Sequence, residues 1–337
     1  ATLSIIIPHH NGYQILNSCL KSLYKSELYH AEIIIVNNNS TDDSINKINK
    51  EFPSIKVINL KENRGYAGGC NYGAKYANGE FLIFLNNDTE VTTNWITKLL
   101  ETINSDNKIS SVQPKILNKK SKDTFDYAGA SGGFIDKYCY PFARGRIFYT
   151  IEKDEGQYNN ITKIFWASGT GFITRKSIFK DIGGFDEKLF AHMEEIDYHW
   201  RCQLSGYYIY INPSSIIYHL GGGTLSYNSP YKTYLNHRNS LILLLSNYNL
   251  SNSIIFFIPR IFMELISTIK DLLSFRFLHA FAQIRALGWV IIHPHIILNK
   301  RNEVNKIRKI SDDELSTAIF KKSIIYQYFV NGKKKYS

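Results

Sequence analysis

The amino-acid sequence predicts an α/β protein with a doubly wound, mostly parallel sheet, helices on both faces of that sheet, and a C-terminal helical extension. Two observations lead to this fold class. Apolar, β-prone segments alternate with helical segments through the first hundred residues, and an apolar stripe of helical period appears after residue 250. The 337 residues, 44% apolar and 14% aromatic, are enough to bury a large core.

The alternating part contains four strands and four helices. Strands are predicted at Leu3–Ile7, Glu32–Val36, Lys56–Leu60 and Phe81–Leu85. Helices are predicted at Gly12–Lys25, Asp42–Glu51, Tyr66–Asn78 and Asn94–Ile103. Strands that alternate with helices pair in parallel through right-handed crossovers. Polar loops at 8–11, 37–40 and 86–89 follow three of the strands, so they should line one ligand crevice at the carboxyl edge of the sheet.

The pattern is less regular between about residues 110 and 165. Glycines and aromatic residues there predict loops and short strands over the crevice. A strand, a helix and a Gly-Gly turn are expected over 165–190. The segment AHMEEIDYHWRCQLSGY at 191–207 predicts a helix with acidic residues at its start, and a further strand is predicted at Tyr208–Ile211.

Residues 251–337 combine helical amphipathicity with most of the net charge. They hold 14 Lys and Arg against 6 Asp and Glu, a net charge of +8 out of +11 for the whole chain. The apolar stripe consists of Ile258, Ile261, Phe262, Leu265, Ile266, Ile269, Leu272 and Leu273, and a second apolar helix is predicted at Phe277–Ile292. Such helices either pack on a neighbouring domain or lie on a membrane. The aromatic and basic side chains favour an anionic membrane surface.

The expected location is the cytoplasm, with peripheral attachment to the inner face of the plasma membrane. Four scattered cysteines without a CxxC pair favour a reducing compartment. A strand-like segment begins at Leu3, which predicts that the chain has no signal peptide. No uninterrupted apolar run reaches the ~20 residues of a membrane span.

The segment FLIFLNNDTE at 81–90 predicts a cation site. Its first five residues read as a buried strand, and Asp88 follows in a polar cluster at the carboxyl edge of the sheet. A carboxylate in that place suits a divalent cation that carries phosphate. The alternative is a strand-to-helix turn in which Thr92 or Thr93 caps the next helix.

The adjacent carboxylates Glu194 and Glu195 are the candidate catalytic groups. Two neighbouring carboxylates repel each other, so one of them can hold a raised pKa near a nucleotide diphosphate. A carboxylate with a near-neutral pKa can take the proton of an acceptor hydroxyl. The alternative is a solvated acidic helix start.

In their order along the chain, the motifs resemble those of glycosyltransferase family 2, whose members are inverting, metal-dependent sugar transferases with the GT-A fold. The similarity covers roughly residues 3–245 and is strongest to bacterial rhamnosyltransferase-like enzymes of surface-polysaccharide synthesis. It is carried by SIIIPHHN at 4–11, IIIVNNNSTD at 33–42, NRGYAGGCNYG at 63–73, LNNDT at 85–89, FWASGTG at 165–171, HMEEIDYHWR at 192–201, YHLGGG at 218–223 and YLNHRNSLILLL at 234–245.

The resemblance implies a role for each matching residue. Glu195 takes the place of the catalytic base, with Glu194 as the second choice, and Asp88 and His219 would bind Mn²⁺ or Mg²⁺. The implied donor-binding residues are Pro8, Asn11, Asn37, Asn39, Ser40, Arg64, Gly65, Asn71, Asn86, Asn87 and Arg201. The implied acceptor-side residues are Trp166, Ser168 and Gly169, with Trp166 or Phe165 as a stacking platform. Asn37 stands where the family has Asp, and Asn86 makes the metal motif a variant.

These expectations define one function. Residues 1–228 would form the catalytic domain and 229–337 a basic amphipathic region that contacts membrane or acceptor. The donor would be a pyrimidine nucleotide sugar, first dTDP-rhamnose and next a UDP-hexose or UDP-galactofuranose, and the acceptor a growing or lipid-linked glycan.

An inactive scaffold, suggested by Asn37 and Asn86, is the alternative. A nucleic-acid partner is not expected, because the basic residues lie on amphipathic helices.

Overall fold

A computed structural model describes residues 2–221 and 229–336. The strands are β1 (Leu3–His9), β2 (Glu32–Asn37), β3 (Lys56–Asn59), β4 (Phe81–Leu85), β5 (Thr89–Val91), β6 (Ile109–Asn118), β7 (Gly133–Ile135), β8 (Pro141–Ala143), β9 (Arg146–Ile147), β10 (Thr150–Ile151), β11 (Thr162–Ile164), β12 (Gly171–Arg175) and β13 (Tyr208–His219). The α-helices are α1 (Tyr13–Tyr24), α2 (Ser44–Glu51), α3 (Gly65–Tyr76), α4 (Trp95–Ile103), α5 (Lys176–Asp181), α6 (Glu194–Leu204), α7 (Pro230–Asn247), α8 (Leu250–Leu273), α9 (Phe277–Ile292), α10 (Pro294–Ile307), α11 (Asp312–Leu315) and α12 (Ile324–Phe329).

A nine-stranded sheet forms the centre of the fold. Eight strands follow the order β11-β13-β6-β12-β4-β1-β2-β3, and β5 pairs with β13. The first four strands are parallel, as predicted, while β12 runs antiparallel to both of its neighbours. Apolar clusters cover both faces of the sheet. The α/β fold class predicted from the alternating pattern is therefore confirmed.

The long central strand β6 lies where the sequence predicted loops and short strands. Its pattern is not apolar, yet Ser110, Ser111, Gln113 and Lys115 are buried. Each has a distant partner; for example, Lys115 Nζ lies 2.6 Å from both Asp154 Oδ2 and Asn159 Oδ1. Because those partners are far away in sequence, a local pattern does not reveal the strand. Short strands β7–β10 do follow it, as a separate four-stranded antiparallel sheet.

The last strand of the main sheet is also longer than predicted. β13 continues past Pro213 to His219, with a register shift between Asn212 and Ile216 where it pairs with β6. This continuation carries His219 to the carboxyl edge of the sheet, beside β5. Gly222 and Gly223 of the YHLGGG motif, and the predicted domain boundary at 228, lie outside the described residues.

The C-terminal helices share a core with the part of the chain that precedes residue 229. One hydrophobic cluster joins Trp166, Trp200 and Leu204 to residues of α7 and α10, among them Leu243 and Val304. Lys300 Nζ lies 2.8 Å from Asp186 Oδ2 and 2.9 Å from Asp197 Oδ1. Residues after 229 thus contribute to the packing around α6.

Helix α8 presents its apolar side to solvent and its charged side to the protein. Arg260 and Glu264 are almost completely buried, and Arg260 donates hydrogen bonds to Glu264, Ser240 and the Tyr138 carbonyl. In contrast, Ile258, Phe262, Leu265, Ile266, Ile269 and Leu273 are between 47% and 76% exposed. In the described part of the chain, α8 is also the one unbroken helix that is long and apolar enough to cross a membrane. The sequence pattern did not predict this possibility, because it contains no uninterrupted apolar run of that length.

Candidate active site

The predicted metal residues Asp88 and His219 lie side by side. Thr89 pairs with His219 across β5 and β13, and the Leu220 amide donates to the Asp88 carbonyl. His219 Nε2 is 3.1 Å from Asp88 Oδ1, and both side chains are buried. Strand pairing therefore fixes the two groups against each other.

Asp126, which the sequence interpretation missed, completes this cluster. Its Oδ1 lies 2.9 Å from His219 Nδ1, on the opposite side of the imidazole from Asp88. Burial opposes a charge on His219, but hydrogen bonds to Asp126 and Asp88 outweigh it and raise the pKa of His219 to about 10. The only sequence signal for Asp126 is its position in the irregular segment before β7.

The donor set at Asp88 fits a divalent cation. Asp88 Oδ1 is buried and lies 3.1 Å from His219 Nε2, and no other described residue donates a hydrogen bond to it. A buried carboxylate with so few partners suits a cation, which would take the place of the proton on His219 Nε2. Across residues 2–221 and 229–336, no cluster of three or more acidic, histidine or cysteine side chains has the geometry of a complete metal site. Asp88 and His219 would thus form only part of a coordination sphere.

Glu195 and Glu194 begin α6, where the sequence placed the catalytic base. Burial raises the pKa of Glu195 to about 7, although nearby backbone amides, that of Gly169 among them, oppose the rise. Burial and the neighbouring Glu195 hold the pKa of Glu194 well above its usual range. At neutral pH the pair therefore contains one protonated acid and one carboxyl group poised to accept a proton.

A short chain of contacts joins Glu195 to the loop after β4, which carries Asp88. The Asn86 amide donates to the Thr170 carbonyl, and the amide of the neighbouring Gly169 is close enough to Glu195 to lower the pKa of its carboxyl group. The Gly169 carbonyl accepts a 2.6 Å hydrogen bond from the Tyr66 hydroxyl. Gly169 thus lies at the junction between the base and the loop after β4.

The loops after β1 and β2 hold each other in place. Asn11 has a φ of 60°, and its side-chain oxygen accepts from the amides of Thr41 and Asp42. The Asn11 amide donates to Ser40 Oγ. Asn37 accepts from the Ser40 amide and donates to Asn59 Oδ1, so its amide group is engaged with the protein.

The loop between β3 and α3 is held by Asn38, a second residue that the sequence interpretation missed. Asn38 accepts from the Arg64 amide and donates to the Gly65 carbonyl. Gly65 has a φ of 67°, and a Cβ there would lie 2.3 Å from the Phe190 carbonyl oxygen, so only glycine fits. The Arg64 side chain forms an ion pair with Glu187.

The remaining predicted donor residues lie at the same edge. Pro8 is the last residue but one of β1, and Asn39 follows the end of β2 with a left-handed backbone and a φ of 60°. Asn87 donates to His9 Nδ1, and burial lowers the pKa of His9 to about 4, which keeps the ring neutral. Asn71 instead bonds the backbone of Phe185, which makes it a support of the loop after α5.

Two predicted ligands are occupied by protein contacts. Arg201 pairs with Asp197 and donates to the carbonyls of Ile182 and Gly184, so its guanidinium is engaged on every side. Trp166 is 4% exposed and donates to the Phe134 carbonyl. Because their polar groups point into the core, the geometry assigns both residues structural roles.

The other acceptor-side candidates are also buried. Ser168 donates through its amide to Gln113 and through its hydroxyl to the Ala128 carbonyl. Phe165 is fully buried against Trp200. Of this group, Gly169 alone affects the pKa of a catalytic candidate, Glu195.

The segment that precedes α6 is strained and is held by α7. Phe190, His192 and Met193 have φ values of 66°, 66° and 73°, which are unfavourable for residues with side chains. Asn239 donates to the carbonyls of Leu189, Ala191 and His192, and the adjacent Arg238 donates to that of Leu189 as well. The Arg-Asn pair of the YLNHRN motif therefore fixes the backbone that delivers Glu194 and Glu195.

Comparison with known proteins identifies the catalytic part. The model of the family described as "Glycosyl transferase family 2" matches residues 4–183. The low-salt glycan biosynthesis hexosyltransferase Agl10 of Haloferax volcanii is 27% identical over 262 residues, which are 75% of this chain and 78% of that protein. Some other curated relatives are matched over about half of their length or less.

Solved structures share the fold at low sequence identity. Staphylococcus aureus TarS 1–349 in complex with UDP-GlcNAc has a TM-score of 0.55 at 16% identity, covering 96% of this chain and 93% of that chain. GalNAc-T7 with UDP, GalNAc and Mn²⁺ has a TM-score of 0.57 at 19% identity, covering 73% and 48%. These likenesses confirm the GT-A fold. The chain is a glycosyltransferase that belongs to glycosyl transferase family 2.

Proposed function

We propose that the chain is an inverting, metal-dependent glycosyltransferase in which Glu195 is the catalytic base. The observation that carries the proposal is a buried glutamate at the start of α6, with a pKa of about 7 and a carboxylate oxygen without a hydrogen-bond partner in the described residues. One carboxyl group near neutral pKa suits single displacement, in which a base activates the acceptor hydroxyl and no covalent intermediate forms. Burial keeps Glu194 protonated, so it would not compete for the proton.

The chain's own residues would position the reactants. Glu195 would accept the hydroxyl proton as the acceptor oxygen attacks the anomeric carbon and the nucleoside diphosphate departs. Asp88 and His219 would hold Mn²⁺ or Mg²⁺. When bound, the cation would neutralise the negative charge on the diphosphate. The backbone around Asn11, Ser40 and Gly65 would form the nucleotide side of the crevice, so that positioning and electrostatics supply most of the rate.

The proposed donor is a pyrimidine nucleotide sugar. The rhamnosyltransferase-like motifs favour dTDP-rhamnose, and UDP-hexose or UDP-galactofuranose is the alternative. TarS with UDP-GlcNAc and GalNAc-T7 with UDP share the fold, which keeps the uridine donors open as the alternative. Asn37 Oδ1 accepts one hydrogen bond from the Ser40 amide, which leaves a second lone pair for a base N–H.

The melting temperature with nucleotides tests donor and metal together. The full chain is heated with UDP, dTDP, GDP or CDP, each with Mn²⁺ and with EDTA. A ligand that binds only the folded state raises the melting temperature by mass action. We expect a metal-dependent rise with dTDP or UDP and none with GDP. If no nucleotide shifts the transition, the inactive-scaffold alternative is favoured instead.

The proposed acceptor is a growing or lipid-linked glycan at the cytoplasmic face of a membrane. The exposed apolar side of α8, defined by Ile258, Phe262, Leu265, Ile266, Ile269 and Leu273, would contact that membrane. The opposite side of the helix is tied to the protein through Arg260 and Glu264. Because these charges are buried in protein contacts, we favour a helix that lies on the membrane surface over one that crosses it.

Liposome binding by full-length variants tests this contact. Ile258→Glu, Phe262→Glu and Ile266→Glu together place charges at exposed positions, so the fold should persist while sedimentation with anionic liposomes is lost. Ile161→Glu, at an apolar position that is also 54% exposed, is the matched control and should sediment like the wild type. Equal sedimentation of the triple variant and the wild type would exclude this face as the membrane contact.

A further inference from the structure

A large cavity lies at the end of the sheet opposite the metal-binding loop. Its volume is about 1070 Å³, and its walls come from the starts of β6 and β13, from β11, from the small sheet and from the segment after residue 310. Ile109 and Tyr208 are at the cavity end of the paired strands, and Asn118 and His219 are at the metal end. Nine residue steps along β6 correspond to about 30 Å. The cavity is therefore separate from the donor crevice.

The cavity carries an uncompensated positive charge. Six lysines line it: Lys108, Lys163, Lys321, Lys322, Lys333 and Lys335. Within the described chain, none of the six forms an ion pair with an acidic side chain. Of the described residues that line the cavity, Glu314 alone is acidic, and its carboxylate accepts hydrogen bonds from the amide and hydroxyl of Ser311. Like charges gathered without a counter-charge favour an anionic ligand.

The walls between the lysines are largely apolar and aromatic. Phe134, Phe142, Tyr207 and Tyr336 line the cavity together with aliphatic side chains of strands and helices. Aromatic rings offer flat apolar surfaces, and ammonium groups on flexible stems act as point charges that adapt to the spacing of anionic groups. This combination suits sugar rings that carry carboxylate or phosphate groups.

The size and charge of the cavity select an extended ligand. Its volume is at the upper limit of about 300–1,000 Å³ that is usual for small-molecule sites. A single phosphate would engage only one or two of the six lysines. A chain with repeated anionic groups would engage them all.

We propose that this cavity is a second binding site, which holds an acidic glycan chain with repeated carboxylate or phosphate groups. The choice of a glycan over another polyanion rests on the proposed function. Gln203 in the cavity wall lies eight residues after Glu195 on α6, about 12 Å along the helix axis. A glycan in the cavity would thus contact the same helix that carries the proposed base.

Titration calorimetry with the full chain tests the proposal. The acidic probe is an oligogalacturonate and the neutral probe is a maltodextrin of equal length, each at low and high salt. We expect the acidic probe alone to bind, more weakly at high salt. Lys163→Gln, Lys321→Gln and Lys322→Gln together should weaken binding about tenfold, because each exposed charge contact contributes modestly. Binding of the neutral probe with equal affinity would overturn the proposal.

A matched variant separates the cavity from general surface charge. Lys25→Gln, Lys50→Gln and Lys75→Gln remove the same charge from exposed positions outside the cavity and should leave affinity unchanged. Equal weakening by both triple variants would overturn the proposal. So would tighter binding of a single-stranded RNA oligonucleotide through the same three cavity lysines, which would make the cavity a nucleic-acid site.

The nucleotide-dependent melting shift distinguishes failure of this site from failure of the proposed function. In the cavity variant, the shift with Mn²⁺ and dTDP or UDP should equal that of the wild type. If the wild type shows no nucleotide shift but binds oligogalacturonate through the cavity lysines, the proposed function fails and the cavity site stands.

Discussion

The charge state of Glu195 follows from its burial at the start of α6. Burial raises its pKa to about 7, while backbone amides that donate to the carboxylate prevent a larger rise. In the unfolded chain the group has an ordinary pKa near 4.5. The folded chain therefore binds more protons between about pH 4.5 and 7, and the buried carboxyl group costs stability as the pH rises through that range.

Glu195→Gln should separate activity from stability. If Glu195 is the base, kcat falls by about 10²–10⁴-fold while donor affinity is kept. Wild-type kcat should rise with pH to a plateau above about 7, and the variant should lack this dependence. Above pH 7 the free energy of unfolding of the variant should exceed that of the wild type by up to about 3 kcal/mol, because the variant no longer buries a charge.

Glu194→Gln is the matched control for that experiment. Since burial keeps Glu194 protonated at neutral pH, glutamine imitates its native state and kcat should stay within a few fold. Loss of transfer in Glu194→Gln with normal turnover in Glu195→Gln would assign the base to Glu194.

Asp126 is expected to orient His219 toward the cation. It bonds Nδ1 of the ring and leaves Nε2 facing Asp88, the arrangement in which a carboxylate fixes a metal-binding histidine. Asp126→Asn keeps the side-chain shape but removes the charge, so Mn²⁺ should bind about tenfold or more weakly. The readout is the Mn²⁺ concentration that gives half of the nucleotide-dependent melting shift. As a control, Asp123→Asn at an exposed position should leave this Mn²⁺ concentration unchanged.

At the scale of elements, α7 determines how α6, the helix of the proposed base, begins. The backbone from Phe190 to Met193 holds three left-handed residues, and Asn239 stabilises it through three carbonyls. The sequence placed Arg238 and Asn239 in a family motif but gave no physical role for them. That role depends on contacts almost fifty residues apart, which a linear pattern does not encode.

Asn239→Ala should weaken both the fold and catalysis. The two N–H groups of Asn239, shared among three carbonyls in a buried site, predict on removal a decrease of about 2–4 kcal/mol in the free energy of unfolding. At a temperature where the variant is still folded, kcat should fall more than donor affinity, because the strained segment positions Glu195. The exposed Asn302→Ala is the control in denaturant unfolding and transfer assays. Unchanged kcat in Asn239→Ala would show that the segment keeps its conformation without α7.

Elements that depend on local pattern were predictable, whereas elements that depend on distant partners were not. The early strands are apolar and the intervening helices amphipathic, so their boundaries followed within a few residues. β6 was missed because Gln113 and Lys115 are polar and buried, and their hydrogen-bond partners lie elsewhere. In α8 the amphipathic period was correct, but the side facing the protein is the charged one. Periodicity gives two faces and does not say which one is buried.

At the scale of the whole molecule, the basic C-terminal part is integrated into the catalytic fold. Arg260, Lys300 and Arg308 all pair with carboxylates inside the protein. The net charge of +8 after residue 250 therefore overstates the charge available to an outside partner. Of the lysines after residue 310, four line the cavity at the far end of the sheet.

Lys300 is the clearest test of this integration, because it joins α10 to the catalytic helix through Asp197. Burial alone would raise the pKa of Asp197, but Arg201 and Lys300 lower it to about 2, below its unfolded value of 3.8. A lowered carboxyl pKa contributes stability that is complete above about pH 4 and is lost as the pH falls toward 2. This contribution should shrink when Lys300 is removed.

Lys300→Met should therefore destabilise the whole chain and not α10 alone. It leaves Asp197 and Asp186 without one partner, so the free energy of unfolding should fall by about 3 kcal/mol at pH 7. The difference from wild type should narrow in acid, as Asp197 becomes protonated. Denaturant unfolding followed by tryptophan fluorescence reports this, because Trp200 lies on α6 and packs in the shared core. The exposed Lys306→Met on the same helix should change little. A separate, earlier transition for α10 with an unchanged main transition would mean that the C-terminal helices form an independent unit.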